Sequence, residues 1–294
     1  MRLLVCLLVI LTGNCYGVNQ QVLTSIKPLQ MIAYAVQDGI ATPKLLLPAN
    51  ASVHSYSLRP SDMQSLLAAD LFYWIGEDLE SFLPKIIINR SQKSVAVQHL
   101  DNINLRYFND VRNFGRQDSL HQDGMLDGHL WLSIANAQVI AQQMADDLSE
   151  LDSVNAAKYQ ANAAEFKVRL DDLHFKLQQK LQAIQNRPFY VFHATFNYFI
   201  ADFALNQQGV LSLANGSGLG AKQVALLQKQ LSSLPNGCIF YEPPEPPKMA
   251  VSLVVDLPIK LAKLDALGID IPINKHSYEQ LLENLAADLV DCLQ

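Results

Sequence analysis

The sequence predicts an α/β protein of two lobes, each a parallel sheet flanked by helices, joined by one long rigid helix. Three observations carry that prediction. Short continuous apolar runs alternate with helix-length segments through the first half of the chain, the pattern of strands buried on both faces of a parallel sheet. One apolar stripe then runs from Phe166 through Leu170, Leu173, Leu177 and Leu181 to Ile184 at spacings of three and four, the period of a helix. Beyond Pro188 the strand–helix alternation resumes.

In chain order, Val22–Ile26 reads as a first buried strand and Leu29–Val36 as a helix. Lys44–Leu47, Leu71–Ile75 and Ser94–Val97 follow as strands, with helices at Pro60–Ala68 and Leu79–Ile87. Pro60 suits a first helical turn, where its missing N–H costs nothing. Residues 107–128 break the pattern with a polar stretch carrying Asp110, Asp118, Asp123 and Asp127. Loops that long are functional or disordered, and this one reads as a weak cover of the cleft or a solvated loop. Trp131–Leu148 is a further helix. The longest helical pattern covers Ser153–Ile184, with Asp152 placed to cap it and Asn186-Arg187-Pro188 to stop it. At about 1.5 Å per residue it would reach ~50 Å, longer than one small domain is wide, as a connector between lobes would be. In the second half, Phe189–Phe192, Gly209–Leu213, Cys238–Tyr241 and Ala262–Asp265 are strand candidates, and Tyr278–Cys292 is a last helix. The predicted organisation is therefore a signal peptide over 1–17, a first lobe over 18–150, a linking helix over 151–186 and a second lobe over 187–294.

Composition narrows the function. The 294 residues fit about two domains, and a chain that is 50% hydrophobic and 17% charged builds a sizeable core. A net charge of -6 without any basic stripe argues against a nucleic-acid partner. Arg2, the apolar run Leu3–Leu11 and Cys15-Tyr16-Gly17 read as an export signal. The alternative is lipidation of Cys15, although Asn14 stands before it where a small residue is expected. Cleavage after Gly17 leaves Cys238 and Cys292. In an exported protein an even pair favours a disulfide, worth roughly 3–4 kcal/mol by loop entropy; two separate buried thiols are the alternative.

His54, His129 and His193 are the candidate chemistry. His54 follows an apolar strand, His193 ends another, and His129 opens a helical segment after the polar loop. Ligands of open α/β sheets bind beyond the carboxyl ends of strands, so a ligand shared by His54 and His193 would lie between lobes. Three converging neutral imidazoles form a zinc shell with one position open. Each histidine alone reads more readily as a hydrogen-bonded structural residue. His99, His121, His174 and His276 show no converging partners.

The local sequence adds a resemblance. Ser25-Ile26-Lys27-Pro28-Leu29, His54-Ser55-Tyr56-Ser57-Leu58-Arg59-Pro60-Ser61-Asp62 and Ala69-Asp70-Leu71-Phe72-Tyr73-Trp74-Ile75-Gly76 are three of its stretches. Gly128-His129-Leu130-Trp131-Leu132, Phe192-His193-Ala194-Thr195-Phe196-Asn197-Tyr198-Phe199, Cys238-Ile239-Phe240-Tyr241-Glu242-Pro243 and Leu264-Asp265-Ala266-Leu267-Gly268 continue it. In this order they resemble the zinc substrate-binding proteins of bacterial ABC transporters, the ZnuA-like metal-binding solute-binding family, over essentially the whole mature chain. The resemblance implies two α/β lobes on one long helix, zinc ligation by His54, His129 and His193, and a Cys238–Cys292 disulfide like that of zinc-specific members. Asp265 matches a position where related manganese binders place an acidic ligand. Glu242, at another strand end, reads as a ligand or a helix cap.

The chain departs from that family near the site. Val53 stands where Glu or Pro commonly precedes the first ligand, and Ser55 and Ala194 replace aspartates that follow the first and third. Ser133-Ile134 replaces Asp-Pro, and only His121 remains of a loop that is often histidine-rich. Fewer carboxylates imply fewer acceptors to orient the imidazoles, and so lower affinity or a narrower set of metals.

The expectation is a periplasmic, monomeric protein that captures Zn²⁺ and delivers it to an ABC permease and ATPase complex, performing no chemistry. His54, His129 and His193 would ligate, with water or Asp265 completing the shell. The long helix would limit lobe motion, and acidification would release the metal, because a protonated imidazole cannot ligate. The rival readings are a manganese or other divalent-metal binder of the same family, a site-altered scavenger, and a zinc hydrolase.

Overall fold

Two parallel four-stranded sheets organise the computed structural model, which describes residues 20–108, 124–211, 221–232, 237–255 and 257–294. The expected signal peptide with Cys15 lies outside the described residues, as do most of the polar loop with His121 and the end of the strand expected at Gly209–Leu213. Among the described residues no helix is long and apolar enough to cross a membrane.

The first sheet contains β1 (Val22–Thr24), β2 (Lys44–Leu45), β3 (Leu71–Trp74) and β4 (Lys93–Ala96) in the order β2-β1-β3-β4. The second contains β5 (Phe189–Val191), β6 (Gln207–Val210), β7 (Gly237–Tyr241) and β8 (Ile259–Lys263) in the order β6-β5-β7-β8. The second sheet thus repeats the topology of the first, as the order of elements in the sequence suggested. In both, the chain reverses direction across the sheet at the first strand, which opens a crevice beyond the carboxyl ends of β1 and β3 and of β5 and β7.

Strand side chains alternate between two buried faces. Phe189 and Val191 of β5 face the main core, while Tyr190 packs with Leu227, Leu231, Ile239 and Leu253 on the other side. The main core is continuous, and runs from Val22 and Phe72 of the first sheet through Met144 and Phe166 to Phe240 and Leu289 of the second lobe. Its middle layer is helical. α5 (Ala156–Leu181) packs on α1 (Lys27–Gln37), α4 (Ile134–Leu151) and α9 (Ser277–Leu293). Phe166, Leu170, Leu173, Leu177 and Leu181 all lie on its buried stripe, and Ile184 follows in a short 3₁₀ turn. Its 26 residues span about 39 Å. Asn162, buried on the same stripe, donates to the carbonyls of Val36 and Asp38 and so closes the end of α1.

Several strands are shifted or shorter than expected, β8 lying at Ile259–Lys263 rather than Ala262–Asp265 and β2 ending at Leu45, and three helices differ more. α5 begins at Ala156, and Asp152 instead ends α4, accepting from Asn155 Nδ2 and Tyr159 Oη. The helix expected from Trp131 is split into a 3₁₀ turn at Leu130–Leu132 and α4 from Ile134, with Ser133 extended between them. The second lobe causes that break, because the Asp202 carboxylate reaches across to the amide of Ile134 (3.3 Å). The helix expected over Leu79–Ile87 is reduced to α3 (Pro84–Ile87). Glu80 folds back to accept the Ile75 amide at 2.6 Å, bending the chain, and Pro84 has no N–H to continue a helix begun at Leu79.

Cys238 and Cys292 form the expected disulfide, joining the start of β7 to the end of α9 across 54 residues. Closing a loop of that length restricts the unfolded chain by about 4 kcal/mol in the entropy model.

Glu80 is fully buried, and burial pushes its carboxyl from the ordinary 4.5 up to about 7, against the lowering effect of the hydrogen bond from the Ile75 amide. A carboxyl whose folded pKa is raised binds its proton more tightly in the folded state. Stability is therefore lost as pH rises from the unfolded value through the folded one. Between pH 5 and pH 8 the wild type should lose about 2–3 kcal/mol more than Glu80→Gln in urea unfolding. Parallel pH profiles for the two proteins would contradict this.

Candidate metal centre

Each of the three histidines lies just beyond a strand or at the lip of a loop, where both sheets end. His54 is on the loop after β2, His193 follows β5 by two residues, and His129 precedes the 3₁₀ turn that leads into α4. The fold brings them together. Their ring centroids are 5.3, 5.4 and 5.9 Å apart, and one ring nitrogen from each lies within 4.8 Å of the other two. Among the described residues this is the group of metal-ligating side chains that converges. Donors on a tetrahedral zinc, each 2.0–2.1 Å from the ion, are about 3.4 Å apart, so small ring rotations would close the cluster onto an ion.

Carboxylates hold two of the imidazoles by Nδ1. The Asp127 Oδ1 atom lies 2.8 Å from His129 Nδ1 and also accepts the His129 amide at 3.0 Å. Glu242, at the end of β7, lies with Oε2 2.9 Å from His193 Nδ1, and Thr195 Oγ1 is 2.8 Å from the same nitrogen. An Nδ1–H that donates to a carboxylate leaves Nε2 with the lone pair, the tautomer needed for ligation. Burial pushes the Glu242 carboxyl up, yet the His193 and His129 imidazoles and the Thr195 hydroxyl outweigh it and hold it below the usual carboxylate range. β5 and β7 are neighbours in the sheet, which is why side chains 49 residues apart meet at its crevice.

Gly128 fixes the approach of His129. A Cβ at this position would lie 2.7 Å from Leu79 Cβ, so only glycine lets the loop carrying His129 pass the turn after β3. Trp131 anchors the same loop. Its ring packs 5.3 Å from His129, and its Nε1 donates to the Ala266 carbonyl of the second lobe at 2.9 Å.

Asp265 does not join the cluster. Its two oxygens accept the amides of Leu267, Gly268 and Ile269 at 2.8–2.9 Å, which folds the loop after β8. Lys27 of the first lobe docks onto that loop through the Ile269 carbonyl (2.7 Å). Asp265 thus shapes the wall of the cleft, to which the loop contributes Ala266, Leu267 and Ile269. The cleft encloses about 420 Å³, with the three histidines, Glu242 and Trp131 also on its walls. His99 pairs with Glu77, His174 stacks on Phe203 and His276 lies beside Glu279, each away from the cluster.

Sequence reasoning expected fewer acceptors around the imidazoles and did not single out Asp127 for this role. The signal was local: an aspartate two residues before His129 and a threonine two residues after His193.

The family model described as the periplasmic component A of the zinc-uptake complex, ZnuA, matches residues 22–292. The chain belongs to this family. Relatives named as the high-affinity zinc uptake system protein ZnuA include that of Haemophilus ducreyi, 32% identical over 94% of each chain. That of Brucella abortus is 30% identical over 94% of this chain and 92% of its own. Among solved structures, a zinc-bound ZnuA deletion mutant superposes with a TM-score of 0.77 at 23% identity, covering 94% of this chain and 98% of its own. The manganese complex of FpvC from Pseudomonas aeruginosa gives 0.76 at 20% identity, covering 94% and 99%. These likenesses show a shared fold.

Replacing Glu242 by Ala should weaken divalent-metal binding roughly 10–100-fold, read by competition with a chromophoric chelator. Unchanged affinity would mean that Glu242 is not what orients His193, Thr195 sufficing as the partner of Nδ1.

Proposed function

We propose that this family member captures one zinc ion between its lobes and delivers it to a membrane ABC permease with its ATPase. One observation carries the reading: His54, His129 and His193 each bring a ring nitrogen within 4.8 Å of the other two. Three nitrogen donors and a water suit tetrahedral zinc, whereas manganese takes more oxygen donors. The nearby carboxylates Asp127 and Glu242 are engaged with imidazoles rather than offered to the ion. That engagement also argues against a hydrolase, which needs a general base beside the metal-bound water. All three ligands come from one chain, which supports a monomer. The disulfide and the family's periplasmic description support an oxidising, exported setting.

Calorimetric titration of the metal-free protein with zinc, with manganese as competitor, tests this reading. One tight zinc per chain is expected, undisturbed by manganese and lost in a His54→Ala/His193→Ala variant. Absent zinc binding would overturn the proposal, and ester hydrolysis by the zinc form would replace it with the hydrolase reading.

A further inference from the structure

The carboxylate that holds His129 is itself held from the opposite lobe. Asn197 opens α6 (Asn197–Asp202) in the second lobe, and its Nδ2 donates to Asp127 Oδ2 at 2.9 Å. The other oxygen, Oδ1, faces His129 Nδ1. Next in the chain, Tyr198 donates its hydroxyl to the Asp127 carbonyl at 2.9 Å and accepts the Arg106 amide at 2.8 Å. Asp127 is 0% exposed and His129 2%, so bulk water does not reach these groups.

We infer that Asn197 is a positioning residue for metal capture, acting through Asp127. A buried carboxylate without a donor on Oδ2 would turn about its Cβ–Cγ bond in search of one, and Oδ1 would leave the line to His129 Nδ1. The imidazole would then lose what fixes its tautomer and ring angle. A neutral amide suits the task, because it orients the carboxylate without neutralising the charge that polarises the ring. The arrangement also ties the ligands to one another. The segment 193–198 supplies His193, its partner Thr195, and both side chains that grip Asp127. A shift of that segment against the first lobe therefore disturbs two ligands at once, so the site is complete only when the lobes are in register.

The inference rests on the reading of His54, His129 and His193 as the metal site, and the test separates the two. Zinc affinity is measured by chelator competition for the wild type, Asn197→Leu, Asp127→Asn and the double variant, with the visible spectrum of the Co²⁺ forms alongside. Asn197→Ala, which removes the donor without adding a charge, replaces Asn197→Leu if the latter does not fold. The expected result is an approximately ten-fold loss in Asn197→Leu with an altered Co²⁺ spectrum, and no further loss when it is added to Asp127→Asn. Affinity within about two-fold of wild type, or losses that add in the double variant, would overturn the role of Asn197. A wild type that binds no zinc would instead remove the metal site itself.

Discussion

The histidines of this cleft arrive from two separately wound lobes, so their meeting depends on a core that does not stop at the lobe boundary. The apolar layer of α1, α4, α5 and α9 is shared by both sheets. Burial of that surface, at about 25 cal/mol per Å², holds the two carboxyl-end crevices face to face before any ion arrives. Polar ties then refine the register. Lys27 reaches Ile269, Trp131 reaches Ala266, Asp202 reaches Ile134 and Tyr278 donates to the Trp131 carbonyl at 2.6 Å, every one of them crossing between lobes.

Charge is handled with the same economy. On the proposed reading, a dication in this partly buried cleft would need compensation, and the Asp127 and Glu242 carboxylates stand behind two of the imidazoles to provide it. Carboxylates placed behind the imidazoles would leave an all-nitrogen protein shell facing a bound ion, which on the proposed reading favours zinc over harder ions. They would also make the imidazoles better donors.

The fold was legible because its signals are periodic. Strands such as Leu71–Trp74 are continuous apolar runs, and the stripe from Phe166 to Ile184 is uninterrupted. What the sequence misjudged was set by contacts distant in the chain. The split of the helix at Ser133 depends on Asp202, and the bend at Glu80 depends on one side chain returning to Ile75. At the site, three histidines beyond apolar elements were visible, but their supporting residues were not. Glu242 meets His193 only because β5 and β7 are adjacent, and Asn197 meets Asp127 only across the lobe interface. Asp265, expected as a possible fourth ligand, stands outside the three-histidine group, and both its oxygens accept amides of the loop after it.

Zinc-edge X-ray absorption of the stoichiometric zinc form tests the central claim most directly. The account predicts three imidazole nitrogens and one further light donor at about 2.0–2.1 Å, with no protein carboxylate among them. Fewer than three imidazoles, or a shell containing a carboxylate such as that of Asp265, would contradict it.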